Sequence, residues 1–285
     1  MNATTAAKRI AIQGGYGAFH EIAANGYFEG QNIEIVPRNT FNELFNSLEN
    51  GQVDYGITAI ENSLAGSILP NYNLILNSKM KIIGEIYLRI KQNLVVLPGQ
   101  KISDIKEVYS HPMAILQCQK FFESHPDILL IDSVDTALSA EKIAREQIEG
   151  RGAIASKLAA DKYGLDIIAE SIETNKNNYT RFLILEEKNG SDFEDRNVNK
   201  ASLSFALAHD IGGLSKVLSI LSYYDINLSK IQSMPIIGRD WEYQFYIDVE
   251  FDNYLRFYQS IEAIRPFTSH LVNMGEYYKG KVILQ

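Results

Sequence analysis

Two short polar clusters carry residue types that could do chemistry. Glu61-Asn62-Ser63 sets a carboxylate, a carboxamide and a hydroxyl side by side, and Gly66 just beyond would let backbone approach a ligand closely. Asn178-Tyr179-Thr180-Arg181-Phe182 places amide, hydroxyl, guanidinium and aromatic groups in succession. Such groups can hold and orient oxygens. Each cluster also reads as a turn cap beside a surface charge.

A third candidate is Gly15-x-Gly17-x-x-His20, set between a strand-like run and a helix-like one. With Glu34 further on, it approaches a dinucleotide fingerprint, but His20 stands where the third glycine belongs. Free N–H groups at a helix start attract carboxylates, which suits this loop better. The histidines at 20, 111, 125, 209 and 270 show no metal-ligand spacing with one another or with Cys118. Cys118 reads as a small buried hydrophobe, no GxSxG elbow is present, and Tyr243, Phe245 and Tyr246 read as packing surface.

Alternating strands and helices must position these groups. Strands are expected at 9–13, 33–36 and 53–60, the last running into Glu61. Between them fall a helix carrying Phe19, Ile22 and Ala23 on one face and a second begun by the capping box Thr40-x-x-Glu43. That second helix buries Phe41, Leu44, Phe45 and Leu48. Further strands are expected at 81–90, 93–97, 128–131, 152–156, 165–169 and 180–185, with helices after Pro112, at 136–147 and at 158–163. The pattern predicts an α/β architecture with a largely parallel sheet. Residues 186–200 hold eight charges and read as a linker. Beyond it, strand 201–208, helix 213–224, strands 227–233 and 241–251, helix 254–264 and strand 271–277 make a ferredoxin-like βαββαβ unit.

The 285 residues carry 27 basic and 35 acidic groups, a net charge of −8, which weighs against nucleic acid. No apolar run reaches the ~18 residues of a membrane span, and the start lacks the apolar core of a signal peptide. A single cysteine fits a reducing cytoplasm.

Taken together, IQGGYGAFHEIAA (12–24), DYGITAIENSLAGSI (54–68), YSHPMAILQCQKFF (109–122), GAIASKLAADKYGL (152–165) and NNYTRFLIL (177–185) resemble the prephenate dehydratase family. HDIGGLSKVLSIL (209–221) and DINLSKIQSMP (225–235) are similar to the ACT regulatory domain that family carries. The resemblance implies a two-lobed catalytic region at 1–187, like a periplasmic binding protein, and an ACT domain at 198–285. One lobe would be about 1–80 with 172–187 and the other 81–171, hinged at 81–91 and 170–176. No chorismate mutase segment precedes Lys8, so the monofunctional form is expected.

The implied reaction is the decarboxylating dehydration of prephenate to phenylpyruvate in phenylalanine biosynthesis, a hydro-lyase step needing no metal, nicotinamide or pyridoxal. By the same resemblance, Thr180 is the donor to the leaving oxygen, and Arg181 either clamps a carboxylate or ties the lobes together. Asn62, Ser63, Ser110 and Gln117 are neutral donors, Phe182 and Phe19 wall the ring, and Glu61 orients Asn62. Gly15 and His111 complete the substrate-binding set, and His20 is expected on the helix surface or cleft rim. Phenylalanine is the implied effector, held by Gly212, Gly213, Leu214, Asn227, Leu228, Gln232 and Ser233 between paired ACT domains of a homodimer or dimer of dimers. The family's Glu-Ser-Arg-Pro reads Gln232-Ser233-Met234-Pro235 here, a charge pair replaced by a neutral couple. Competing readings are an arogenate dehydratase, a non-catalytic amino-acid sensor and a nucleotide-dependent dehydrogenase.

Overall fold

The structure is a computed structural model that describes residues 6–188, 197–207, 210–236, 238–239 and 242–284. The middle of the expected linker, His209 and the strand ends expected at Ala208 and Trp241 lie outside the described residues.

The chain opens with β1 (Lys8–Gln13), α1 (Phe19–Tyr27), β2 (Ile33–Arg38), α2 (Phe41–Glu49), β3 (Tyr55–Asn62), β4 (Gly66–Ser67) and α3 (Leu69–Asn77). Next come β5 (Met80–Arg89), β6 (Asn93–Val96), β7 (Glu107–Ser110), α4 (Pro112–Gln117), α5 (Gln119–Phe122) and β8 (Leu129–Asp132). They are followed by α6 (Thr136–Glu146), β9 (Arg151–Ala155), α7 (Lys157–Tyr163), β10 (Asp166–Ala169) and β11 (Tyr179–Glu187). The rest is β12 (Lys200–Leu207), α8 (Gly213–Tyr223), β13 (Asn227–Pro235), β14 (Tyr243–Glu250), α9 (Tyr254–Ile264), β15 (Ser269–Tyr277) and β16 (Val282–Ile283). Two compact units result: one of Met1–Gly66, Ile86–Phe182 and Val282–Gln285, the other of Ser67–Glu85 and Leu183–Lys281.

The first unit is built on two sheets. One has the order β16-β5-β11-β3-β1-β2, with β4 beside β3, and β1 lies parallel to both β2 and β3. Ile10, Ala11 and Ile12 are fully buried, as a central strand covered on both faces requires. Thr40 accepts from Glu43 N (3.1 Å), but the Glu43 carboxylate bonds Asn39 N (2.9 Å), one residue before the cap. The other sheet has the order β10-β6-β9-β7-β8 and is mixed, which corrects the largely parallel expectation. β7 is parallel to β8 and β9, whereas β6 is antiparallel to β9 and β10. The chain enters β6 directly from β5, and without an intervening crossover helix nothing imposes the parallel direction. β5 lies in the first sheet, so 90–92 and 170–178 are what join the two sheets.

The second unit has an antiparallel sheet of order β13-β14-β12-β15. Leu203, Phe205, Ile247 and Val249 meet Val217 and Leu221 of α8 and Phe257 and Ile264 of α9 in one apolar core. All eight residues of β12 are nevertheless buried. The alternate residues Lys200, Ser202 and Ser204 therefore need polar partners. The Lys200 ammonium sits 2.9 and 3.1 Å from the Glu85 carboxylate oxygens, Ser202 donates to Asp248 (2.5 Å), and Tyr246 OH donates to Asn73 (2.7 Å). Glu85 and Asn73 belong to the 67–85 segment, whose helix α3 the periodicity does not reveal.

Breaking a buried pair leaves an uncompensated charge, so Lys200→Met alone is expected to cost about 3–5 kcal/mol. Pairing it with Glu85→Leu should recover most of that loss in denaturant unfolding. If the double variant is no more stable than the single one, this ion pair is not what the segment depends on.

Candidate active site

The end of β3 and the start of β11 bring the two expected clusters together. Asn62 Nδ2 donates to Asn178 Oδ1 (2.7 Å), Thr180 Oγ1 (3.0 Å) and Tyr179 O (3.2 Å), while its Oδ1 accepts from Leu64 N and Ala65 N (2.9 Å each). Ser63 Oγ donates to Asn177 O and accepts from Tyr179 N, both at 2.9 Å. Thr180 is thus held by a lone pair, and among the described residues its proton has no protein acceptor. Asn178, fully buried, passes the network on by donating to Gln117 Oε1 (2.9 Å) at the end of α4. Gln92 Nε2 reaches the same oxygen at 3.4 Å.

Asn178 belongs to the expected cluster, and Gln92 and Glu173 are parts that sequence reasoning missed. Glu173 is 1% exposed, accepts from Gln92 N (2.9 Å) and Ser171 Oγ (2.7 Å), and so ties the two inter-sheet connections together. Glu173 was marked only by lying in the expected hinge at 170–176, and Gln92 lies just past the one at 81–91.

Alternation along β11 puts Thr180 and Phe182 on one face and Arg181 on the other. Arg181 is 4% exposed with its guanidinium 5.9 Å from the Tyr87 ring centre on β5. Ser110 is fully buried and donates to Ile154 O (2.9 Å), whereas His111 caps α4 by accepting from Met113 N at Nδ1 (3.2 Å). Phe19 and Glu61 are half-buried. Cys118 is fully buried, and burial pushes its thiol well above the usual range.

The glycine loop is shaped by packing from α6 and α7. A Cβ on Gly15 would lie 2.7 Å from Leu138, and one on Gly17, whose φ is +87°, would lie 2.6 Å from Ala159. Ser156 Oγ donates to Gly17 O (2.6 Å), and the Gly15 N–H is engaged by the Asp135 carboxylate. His20 corrects the expectation of a surface or rim position, for it is only 9% exposed. Its ring lies 4.9 Å from that of Phe182 and 5.8 Å from that of Phe41, and its Nε2 is buried without a partner. Desolvation lowers its pKa from 6.5 to about 3.

In the second unit, Gly212 begins α8 in the left-handed region (φ +76°), and Gly213 and Leu214 are half-buried in its first turn. Asn227, Leu228, Gln232 and Ser233 lie on β13, an edge strand, where Gln232 Nε2 donates to Ser233 O (2.9 Å). No helix among the described residues is long and apolar enough to cross a membrane.

The His20 shift has a definite sign. The unfolded chain takes up a proton below about pH 6.5 that the folded chain refuses until about pH 3, so stability falls as pH drops through that window. The urea midpoint should therefore fall less between pH 7 and pH 5 in His20→Phe than in the wild type. Equal falls would show that His20 is not neutral in the folded protein.

The comparisons with known proteins agree on one family. A family model described as prephenate dehydratase matches residues 10–190. The arogenate dehydratase/prephenate dehydratase 1 of Arabidopsis thaliana is 40% identical over 256 residues, covering 85% of this chain and 64% of its own. The bifunctional chorismate mutase/prephenate dehydratase of Aquifex aeolicus is 32% identical over 273 residues, 95% of this chain and 74% of its own. This chain thus spans roughly two-thirds to three-quarters of the length of those relatives. The solved prephenate dehydratase of Arthrobacter aurescens in complex with L-Phe superposes with a TM-score of 0.85 at 26% identity, covering 95% of this chain and 90% of that one. GqqA, described as a quorum-quenching acylase, also gives 0.85, at 25% identity and with 95% and 98% covered. On its sequence and its fold together, the chain belongs to the prephenate dehydratase family.

Proposed function

We propose that this protein is a prephenate dehydratase, and the observation that carries the reading is the Thr180 hydroxyl. Asn62 occupies one of its lone pairs and leaves its proton for a ligand. In prephenate the bond from ring C1 to its carboxylate carbon breaks, and its electron pair enters the ring. The C4–O bond breaks with it, and the leaving oxygen takes its pair and one proton to become water. An aliphatic hydroxyl is a weak acid, so Thr180 acts as a positioned donor or relay, with fixed geometry supplying much of the rate. Asn62, Ser63 and Gln117 spend their polar groups on the network that fixes Thr180, and Ser110, fully buried, donates to Ile154 O, so these four position the donor rather than touch the dianion. Phe19 walls the ring, whereas Phe182, 1% exposed, packs against His20 in the interior, and the loop at Gly15 and the cap at His111 shape the ends of the site. Glu61 supports Asn62 from the same strand. Arg181, stacked over Tyr87, takes the bracing role rather than the carboxylate clamp.

In this reading residues 1–187 are catalytic and residues 198–285 form an ACT-type regulatory domain. The phenylalanine bound in the Arthrobacter aurescens relative supports the same effector here. Gly212, Gly213 and Leu214 with the β13 residues Asn227, Leu228, Gln232 and Ser233 would receive it, completed by the edge strand of a second copy in a homodimer or dimer of dimers. The protein works in the cytoplasm on prephenate, with no cofactor.

Incubation with prephenate should yield phenylpyruvate, followed by its ultraviolet absorbance. Thr180→Ala should lower kcat by roughly 10^2 or more with an unchanged melting temperature. Near-normal turnover would remove Thr180 from its role. Titration with phenylalanine should inhibit in the millimolar range or below, and no inhibition there would end the feedback reading.

A further inference from the structure

We propose that Glu173 is a positioning residue for the reaction: from the connections between the two sheets, its carboxylate sets the direction of the Thr180 hydroxyl through Gln117, Asn178 and Asn62. The inference rests on the dehydratase reading and concerns a group that touches no atom of the substrate.

The two connections run side by side. Ile90 N donates to Asn178 O (2.7 Å), Ile172 N to Gln92 O (2.7 Å) and Ser171 N to Asn93 Oδ1 (3.0 Å). Glu173 clasps them. Its side chain is fully buried, and its two oxygens serve different connections. Oε2 accepts from Gln92 N (2.9 Å) in the first, whereas Oε1 accepts from Ser171 Oγ (2.7 Å) in the second and lies 3.8 Å from the Lys176 ammonium. A buried carboxylate is costly unless its lone pairs are filled, so the donors that fill these are held at a fixed separation. The side chains of Lys176 and Asn175 have no such reach. Lys176 donates to Ser171 O and Glu173 O, and Asn175 Oδ1 accepts from Asn177 N, all within the second connection.

Two holds on Gln117 begin at this clasp. Thr174, the next residue in the chain, donates its N–H to Gln117 O (2.8 Å). Gln92, whose own N–H Glu173 holds, brings its Nε2 to 3.4 Å from Gln117 Oε1. Gln117 must present that oxygen. The reason lies at the other end of the array, where Asn62 Oδ1 accepts from Leu64 N and Ala65 N, main-chain donors that cannot reverse. Asn62 Nδ2 therefore donates to Asn178 Oδ1 (2.7 Å), and Asn178 Nδ2 is left to donate to Gln117 Oε1 (2.9 Å). If Gln117 shifts, Asn178 loses its acceptor and turns. Asn62 then gives up one of the oxygens that steady its nitrogen against Thr180 Oγ1 (3.0 Å), and the Thr180 proton no longer points in one direction. Glu173 thus acts on protonation of the leaving oxygen, not on binding.

Steady-state assays with prephenate give kcat and KM for the wild type, Glu173→Gln, Glu173→Leu and Gln92→Leu, each with Thr180 present and replaced by Ala, once circular dichroism shows them folded. Glu173→Gln keeps an oxygen for Gln92 N and offers its amide to Ser171 Oγ, which can accept, so kcat should stay within about threefold of the wild type. Glu173→Leu should lower kcat about tenfold or more while KM changes less than threefold, as a displaced donor requires. In the Thr180→Ala background the same substitution should cost less than about twofold, because the hydroxyl it steers is gone. Gln92→Leu covers the case of a Glu173→Leu that fails to fold. Gln92 Oε1 is buried without a partner, so this variant should be at least as stable as the wild type. It should show a smaller loss in kcat that also vanishes with Thr180→Ala. Losses that add to that of Thr180→Ala, a rise in KM alone, or wild-type kcat in Glu173→Leu or Gln92→Leu overturns the role of Glu173 and leaves the dehydratase reading standing. No turnover of prephenate by the wild type overturns both.

Discussion

Everything in the candidate site hangs on the Asn62 carboxamide being used at both ends. Its oxygen accepts two N–H groups of the turn that follows β3, and its nitrogen reaches three oxygens at the start of β11. The first set shapes the turn, and the second brings the two polar clusters together across 116 to 118 residues of sequence. Because Asn62 donates to Thr180, that hydroxyl must point its proton elsewhere, and its direction is determined before any ligand arrives. Asn178 then carries the order across to Gln117, so the geometry at Thr180 depends on α4 and the second sheet being in place. A carboxylate at position 62 could not do this, since it accepts only.

The chemistry that follows is one of neutral groups. The charged residues nearby are largely occupied: Glu173 braces the two connections between the sheets, Glu21 is tied to Gly17 and Lys162, and Arg181 lies over Tyr87. Residues 1–187 carry 17 basic and 23 acidic side chains, so no general field draws an anion in. Attraction has to come from oriented dipoles within a few ångströms. For a reaction that expels a carboxylate, this serves a purpose. A strong cation on the departing group would stabilise the ground state more than the transition state.

How much of this the sequence discloses depends on the physical signal each part leaves. The βαβ elements, the capped start of α2 and the ferredoxin-like unit are legible because burial of one face imposes a period, and Thr40 marks a boundary. The joining of Glu61-Asn62-Ser63 to Thr180 is not a periodic property, and it is legible only through resemblance to a family. α3 escapes because its buried residues include Asn71 and Tyr72 as well as Ile75, and a half-polar stripe looks like a loop. It turns towards a sheet face made of Lys200, Ser202 and Ser204, which the sequence alone does not mark as buried. Gln92 and Glu173 escape for the same reason, since a buried polar residue is recognised by its partner and the partner is distant in the chain. The expectation of a largely parallel sheet fails at β6 because alternation of strands and helices says nothing about a strand entered without a helix.

The glycine loop shows how one observation can carry two meanings. Gly-x-Gly at a strand–helix turn suggests close approach of a phosphate, yet here Leu138 and Ala159 fill the space a Cβ would need. The glycines admit protein, not ligand. That packing presses α6 and α7 onto the entry to α1, and it leaves Gly15 and Gly17 with their N–H groups already engaged by Asp135 and Glu21. The free donors are displaced one turn on, to Phe19 and His20, where the absent third glycine lets an imidazole stand. His20 in the third-glycine position thus removes a feature a dinucleotide would need, and its ring packs against Phe41 and Phe182 instead. What reads in sequence as a defective nucleotide motif is, in the folded chain, a packing seam between α1, α6 and α7.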